Sequence, residues 1–308
     1  MRVLILGTGA LGCLYAARLA AQADVVMLGA WAEGVDAIRA AGIRVIDPDG
    51  RAWVARVRAE HDPEAAPTAD VALILVKSHQ TRRAAAWAAR RLARDGLAVT
   101  LQNGLDNLPA LVEAVGAPRG AVGVTYNAAT LLGPAAVRHV VSLPTYLGLL
   151  PARPCAGPAD AAQARLGALA GLLNAAGLAA QVSADVEARL WGKAVVNAAI
   201  NPLTALWRVA NGELLARPER RRLLAGLACE AAATARARGV ALPFADPVAY
   251  VESVCEATAA NRSSMLQDVE RGRPTEIDSI SGVVAAEARR LGVAAPLTEA
   301  VWRLVQAL

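Results

Sequence analysis

The first twelve residues constrain the fold more than any other stretch. Arg2–Leu6 is a continuous apolar run, Gly7-Thr8-Gly9-Ala10-Leu11-Gly12 follows at once, and helical periodicity runs on through Leu11–Ala21. A strand, a glycine turn and a helix in immediate succession form the opening of a nucleotide-binding sheet. In that setting the first Gly permits the turn, the second lets backbone approach a pyrophosphate, and the third lets helix and strand pack closely. The helix N-terminus offers free N–H groups and the positive end of its dipole to phosphate oxygens. The same stretch lacks a basic leading region and a small-residue cleavage site, so it reads as a first strand and not as a signal.

The alternation continues. Asp24–Leu28 reads as a strand, Val35–Ala41 as a short helix, and Ile43–Ile46 with Trp53–Val57 as a hairpin about Asp47-Pro48-Asp49-Gly50. Val71–Val76 is predicted as a third buried strand, then helix Gln80–Leu92, strand Ala98–Leu101 and helix Leu108–Ala114. Short β-like runs follow at Ala121–Tyr126, Ala136–Val141 and Tyr146–Leu150. The Pro- and Gly-dense stretch Pro151–Pro158 reads as a surface loop within the first domain. A helix from Ala159 to about Ala176 and a last strand, Ala180–Val182, complete this part. Strands alternating with helices predict a parallel, doubly wound sheet.

Beyond Ser183 the strand signals stop. Helices are predicted over Ala184–Ile200, Glu213–Leu215, Pro218–Arg238, Pro247–Asn261, Met265–Arg271, Ile277–Leu291 and Thr298–Leu308. The expected division is residues 1–182, an α/β dinucleotide-binding domain, and 183–308, an all-α domain. At 308 residues the chain is long enough for two cores.

Composition excludes several classes. The 55% hydrophobic fraction is inflated by alanine, and no apolar run reaches the roughly 20 residues of a membrane span. Cys13, Cys155, Cys229 and Cys255, with His61, His79 and His139, share no metal-ligand spacing, so no metal is expected. Reduced thiols in a cytoplasmic protein are the corresponding expectation. Net charge is +5, with clusters at Arg82-Arg83, Arg90-Arg91 and Arg220-Arg221-Arg222, yet aromatic residues make up only 4%. Base-stacking platforms are missing, and the clusters read as solvated helix faces, not a nucleic-acid surface.

Of 32 basic residues, thirty are Arg and two are Lys, Lys77 and Lys193. A position that keeps Lys against that drift needs what Arg cannot supply, a compact ammonium that can give up its proton. Lys77 ends the predicted third strand, where the carboxyl ends of strands face a ligand crevice; a snorkelling lysine is the structural alternative. Asn103-Gly104 ends the next strand and can donate to a cofactor or substrate oxygen, or be an ordinary turn. Lys193, Asn197 and Asn201 are spaced by four and share one helix face in an otherwise apolar segment. Buried polar groups cost about 1–3 kcal/mol each when unpaired, so three on one stripe point to a polar ligand. Asn261 and Ser264, three apart, can also share a face, and Thr275, Glu276 and Asp278 sit at a helix start, where acids are also ordinary caps.

Together these segments resemble the ketopantoate reductase family. The resemblance is carried by GTGALG, Val76-Lys77 with Gln80, Gln102-Asn103-Gly104, Gly123-Val124-Thr125, LWGKAVVNAAINPLTAL, Asn211-Gly212-Glu213-Leu214, NRSSMLQD and GRPTEID, in the family's order over nearly the whole chain. It implies a Rossmann-type doubly wound α/β domain plus an all-α C-terminal domain, with an active site between them. The implied reaction is NADPH-dependent reduction of 2-dehydropantoate to (R)-pantoate, a step of pantothenate biosynthesis. Lys193 matches the general acid, and Glu276 the acid that orients cofactor and substrate. Asn197, Asn201, Asn211, Asn261 and Ser264 match substrate-contacting positions. Gly7, Thr8, Gly9, Ala10, Leu11, Gly12, Lys77, Gln80, Asn103, Ala129 and Glu276 match cofactor-contacting ones.

The chain departs from the pattern at Ala30, where many members place an Arg near the 2′-phosphate. The stretch Met27–Trp31 carries no acid for a ribose 2′-OH, which disfavours NAD, and no Arg either; NADP is the preferred cofactor. A paralogous reductase of another 2-keto acid remains an alternative. A 3-hydroxyacid or 6-phosphogluconate-type dehydrogenase also uses a Lys, but its glycine-rich substrate loop is not seen here. A non-catalytic NADP sensor would have no use for the Lys193–Asn197–Asn201 stripe. The partner is a small 2-keto acid, with neither nucleic acid nor membrane, and a homodimer stays open.

Overall fold

The computed structural model describes residues 1–150 and 159–308, so the expected loop Pro151–Pro158 lies outside the described residues. Contacts divide the chain into two compact units, Met1–Gln102 with Asn107–Val186, and Asn103–Asp106 with Glu187–Leu308.

The first unit contains β1 (Arg2–Leu6), α1 (Ala10–Leu19), β2 (Asp24–Leu28), α2 (Ala32–Ala41), β3 (Ile43–Ile46), β4 (Ala52–Ala55) and β5 (Arg58–Glu60). It continues with β6 (Ala69–Ile74), α3 (Thr81–Arg91), β7 (Leu92–Thr100), α4 (Asn107–Val115), β8 (Gly120–Thr125) and β9 (Ala128–Gly133). Then come β10 (Ala136–Val141), β11 (Thr145–Gly148), α5 (Ala159–Ala175) and β12 (Ala180–Val182).

The main sheet runs β12-β11-β8-β7-β6-β1-β2-β5. From β8 to β5 every pairing is parallel. Numbered by succession, those six strands lie in the order 3-2-1-4-5-6 of a doubly wound dinucleotide-binding sheet. Alternate residues explain why the strands read as unbroken apolar runs. Val3, Ile5, Val71, Leu73 and Val99 enter one core with α1 and α5. Leu4, Leu6, Val26, Ala72 and Ile74 enter another with Ala84 and Ala88 of α3 and Leu111 of α4. Both faces of the sheet are covered, so period-two polarity disappears.

Several expectations are corrected. The sheet is not wholly parallel, because β11 pairs antiparallel with β8 and β12 follows β11. The hairpin β3–β4 is present but stands in a separate sheet, β4-β3-β10-β9. Strands β5 and β9 were not foreseen. Residues 58–60, Arg-Ala-Glu, carry no apolar run, and their strand exists because β2 offers an open parallel edge. The third predicted strand ends at Ile74, leaving Lys77 on a loop.

The second unit is helical: α6 (Val186–Trp207), α7 (Pro218–Ala237), α8 (Pro247–Ala257), α9 (Ser264–Glu270), α10 (Val283–Leu291) and α11 (Pro296–Gln306). Its core gathers Val195, Ala199, Leu203, Leu227, Ala231, Val251, Met265, Ile280, Val284 and Val301. The first helix does not stop at Ile200. It passes through Pro202, whose missing N–H removes one helical bond, because buried Ala198, Ala199, Ile200, Leu203 and Ala205 hold the backbone on both sides. Asn211–Leu214 is a 3₁₀ turn, and α10 is preceded by a π-helical turn at Asp278–Gly282. No helix among the described residues is long and apolar enough to cross a membrane.

Candidate active site

The glycine loop sits where the sheet order reverses, between β1 and its neighbours β2 and β6. Gly7 N–H donates to Leu28 O at 2.8 Å, and Leu75 N–H to Leu6 O at 2.8 Å. Gly7 has φ +121°, and a Cβ there would stand 2.7 Å from Leu75 O, so both conformation and space require glycine. A Cβ on Gly12 would run into Gly7 O, whereas one on Gly9 would meet nothing within 4 Å. The first and third glycines thus serve packing, while the second leaves open backbone at the start of α1. That helix has no side-chain cap and no acid in its first turn. Thr8 is buried, and the Cys13 thiol donates to its carbonyl at 3.4 Å. Burial pushes the Cys13 thiol up to about 12. These residues fit a dinucleotide pyrophosphate: open backbone, free helix N–H groups and no competing carboxylate.

The segment carrying Lys77 and Gln80 is held from below. Gln102 Nε2 donates to Val76 O and to Thr81 Oγ1, both at 2.8 Å, and Thr81 Oγ1 donates to Asn107 Oδ1 at 2.7 Å. Lys77 is partly buried and precedes a 3₁₀ turn, Ser78–Gln80. Gln102 and Thr81 were given no role from sequence; their signal is polarity at buried strand and helix ends. At the end of β2, Gly29 is buried and Ala30 exposed. His61 Nδ1 lies 3.3 Å from Gly29 O and its Nε2 3.3 Å from Asp36 Oδ1, a basic group that sequence reading missed. Ala129 lies on β9, opposite His139 of β10.

The helical unit holds the remaining candidates. Lys193, Asn197 and Asn201 lie on α6, with Asn201 buried and the other two partly buried. Burial strips water from the Lys193 ammonium and lowers its pKa from 10.5 to about 8, while the charge of Glu276 pushes it back up. Glu276 is buried, and its carbonyl accepts from Ile280 N–H at 3.1 Å, leading into the π turn. A desolvated ammonium near a buried carboxylate is a proton donor poised near neutrality.

Asn211 and Asn261 are brought together. Asn211 N–H donates to Asn261 O at 3.0 Å and Asn211 Nδ2 to Thr258 Oγ1 at 2.9 Å, while Asn211 Oδ1 is buried and unpartnered. Asn261 lies ahead of α9, not on it, so it does not share a helix face with Ser264 as expected. Ser264 is exposed in the first turn. Its neighbour Ser263 is the buried cap, accepting from Leu266 N–H at 3.1 Å and bonded to Thr204 Oγ1 at 2.7 Å. Thr275 Oγ1 lies 3.4 Å from Ile277 N, while Asp278 accepts from Trp302 Nε1 at 2.7 Å and Gln306 Nε2 at 2.6 Å, a structural clamp. Asn103 groups with this unit, not with the sheet.

A dinucleotide-type sheet with open backbone at its glycine turn, and a helical unit bearing a desolvated lysine, define a two-unit oxidoreductase. Residues 3–152 match Ketopantoate reductase PanE/ApbA, and residues 185–308 match Ketopantoate reductase PanE/ApbA C terminal. The chain is 36% identical over 310 residues to the 2-dehydropantoate 2-reductase of Halobacterium salinarum, covering 99% of this chain and 98% of that one. Among solved structures it resembles a PanE/ApbA family ketopantoate reductase from Ralstonia eutropha JMP134, with TM-score 0.88, 31% identity and coverage of 100% and 98%. It also resembles D-mandelate dehydrogenase bound to NADH and anilino(oxo)acetate, with TM-score 0.91, 26% identity and coverage of 100% and 98%. The chain belongs to the ketopantoate reductase family.

Proposed function

We propose that this protein reduces 2-dehydropantoate to (R)-pantoate with NADPH. Residues 1–182 would bind the dinucleotide and residues 183–308 the keto acid. The reading rests chiefly on Lys193, whose pKa burial lowers to about 8 against the upward pull of the Glu276 charge. The nicotinamide, when bound, supplies the hydride. Gly7–Gly12 would bind the pyrophosphate through backbone N–H groups, with Lys77, Gln80, Asn103 and Ala129 contacting the remainder. Asn197, Asn201, Asn211, Asn261 and Ser264 would bind the substrate's oxygens. The buried, unpartnered Oδ1 of Asn211 is an acceptor of the kind a substrate hydroxyl satisfies. Lys193 Nζ would stabilise negative charge developing on the carbonyl oxygen and then give it a proton. Such positioned transfer is worth about 10²–10⁴ in rate. Glu276 would keep the ammonium protonated and oriented before transfer. NADPH over NADH is supported by the lack of an acid in Met27–Trp31, where β2 ends.

The likeness to an NADH-bound D-mandelate dehydrogenase favours a second reading, reduction of a different 2-keto acid with NADH. One assay separates the two. Wild-type protein and Lys193→Ala are measured with NADPH and NADH against 2-dehydropantoate and a panel of 2-keto acids. Fastest turnover of 2-dehydropantoate with NADPH, lost in the variant, supports the first reading. Activity confined to another keto acid removes the substrate assignment, and an unimpaired variant removes the mechanism.

A further inference from the structure

We propose that Leu105, Asp106 and Ser279 are positioning residues that dock the loop Asn103–Asp106 onto the helical unit, holding Asn103 in one body with Lys193 and Glu276. The roles of those three residues are taken from the preceding reading. The chain leaves the sheet unit after Gln102 and re-enters it at Asn107, so four residues strung between β7 and α4 group with the helices. Three contacts tie the loop to that unit. The Leu105 side chain packs against the core of the helical unit. Its N–H donates to Ser279 O at 3.1 Å. Ser279 Oγ donates to Asp106 Oδ2 at 3.1 Å across a separation of 173 residues.

Ser279 is buried and lies in the π-helical turn just after Glu276, and π turns concentrate at functional sites. Gly104, at φ +101°, supplies the reversal that carries the chain from Asn103 to Leu105. On the other side of Asn103, Gln102 is locked by Val76 O and Thr81 Oγ1. Asn103 is therefore fixed at both flanks, and the flank toward the helices depends on Ser279. One short stretch of backbone thus orients two candidate groups, Glu276 and Asn103.

The test uses the full chain with Ser279→Ala, Asp106→Ala, their double variant and Ser279→Thr. Misplacement of a positioned group predicts that each single Ala variant loses about ten-fold or more in kcat while KM for the keto acid moves less than about three-fold. The double variant falls no further than the worse single, because both act through one contact, and Ser279→Thr recovers most of the loss. Amide exchange at Leu105 accelerates in each Ala variant while α6 keeps its protection. Unchanged kcat in folded variants, or losses that multiply in the double variant, would overturn the positioning role. Unchanged exchange at Leu105 would overturn the docking. A wild-type protein inactive on every 2-keto acid would sink the functional reading and the positioning role with it, while exchange, which needs no substrate, still decides docking.

Discussion

Lys193 and Lys77 are equally rare by composition, but the fold treats them differently. Lys193 is desolvated on α6 and its pKa is lowered to about 8, whereas Lys77 lies on a loop beyond β6. In the proposed role of general acid Lys193 must carry its proton, so kcat/KM is expected to fall as pH rises through about 8. Lys193→Arg keeps the charge and cannot donate, so the loss should be about 10²–10⁴-fold, read in the same pH series. The linkage sign follows from the same shift. The folded pKa lies below the ordinary 10.5, so the unfolded chain binds the proton more tightly. The Lys193 contribution to stability therefore rises with pH between about 8 and 10.5, and Lys193→Met should remove that contribution in urea titrations. The 193–197–201 spacing was legible because a helix repeats every turn. The exchange of buried and exposed roles between Ser263 and Ser264 was not, since a cap depends on where α9 begins.

Among the elements, the glycine turn separates two close-packed glycines, Gly7 and Gly12, from one in open space, Gly9. Gly9→Ala places a methyl in open space. It is expected to leave the melting temperature unchanged and to weaken nucleotide binding, measured by fluorescence titration; intact affinity would show that this backbone is not approached. Gly12→Ala should lower the melting temperature, because its Cβ meets Gly7 O. Helix α6 is tied to the cap of α9 by Thr204, whose hydroxyl reaches Ser263 Oγ at 2.7 Å. Thr204→Val leaves that buried serine short of a partner and should cost about 1–3 kcal/mol in denaturant unfolding. The expected helix stops at Ile200, two residues short of Pro202, which disfavours a helix interior. The helix continues because tertiary packing outweighs one lost hydrogen bond.

Over the whole molecule, several titrations act in one direction. Burial, then the Arg18 charge, lowers the His139 pKa below 6.5, so stability is lost as pH falls below that value. The Arg290 hydrogen bond, with Arg238, holds the Glu287 carboxyl down to about 2, so its contribution disappears as pH falls from 4.5 toward that value. Lys193 adds the same sign above neutrality, while the buried Cys13 and Cys255 thiols, pushed up from 9.0 to about 12, oppose it above pH 9. The unfolding free energy should therefore peak on the alkaline side, near pH 9, measured by urea titration from pH 4 to 10. A maximum at or below neutrality would contradict that sum. The sequence by itself determined the βα alternation, the change to helices after residue 182, the glycine turn and the lysine–asparagine stripe. Each is written in the spacing of near neighbours, over a strand's two-residue or a helix's 3.6-residue period. Only the tertiary structure decided that β11 runs antiparallel, that β5 and β9 form, that Asn103 groups with the helices, and that burial lowers the Lys193 pKa. Those outcomes depend on contacts between residues far apart in the chain, such as Asp106 and Ser279, and on removal of water by distant side chains. No local pattern encodes either.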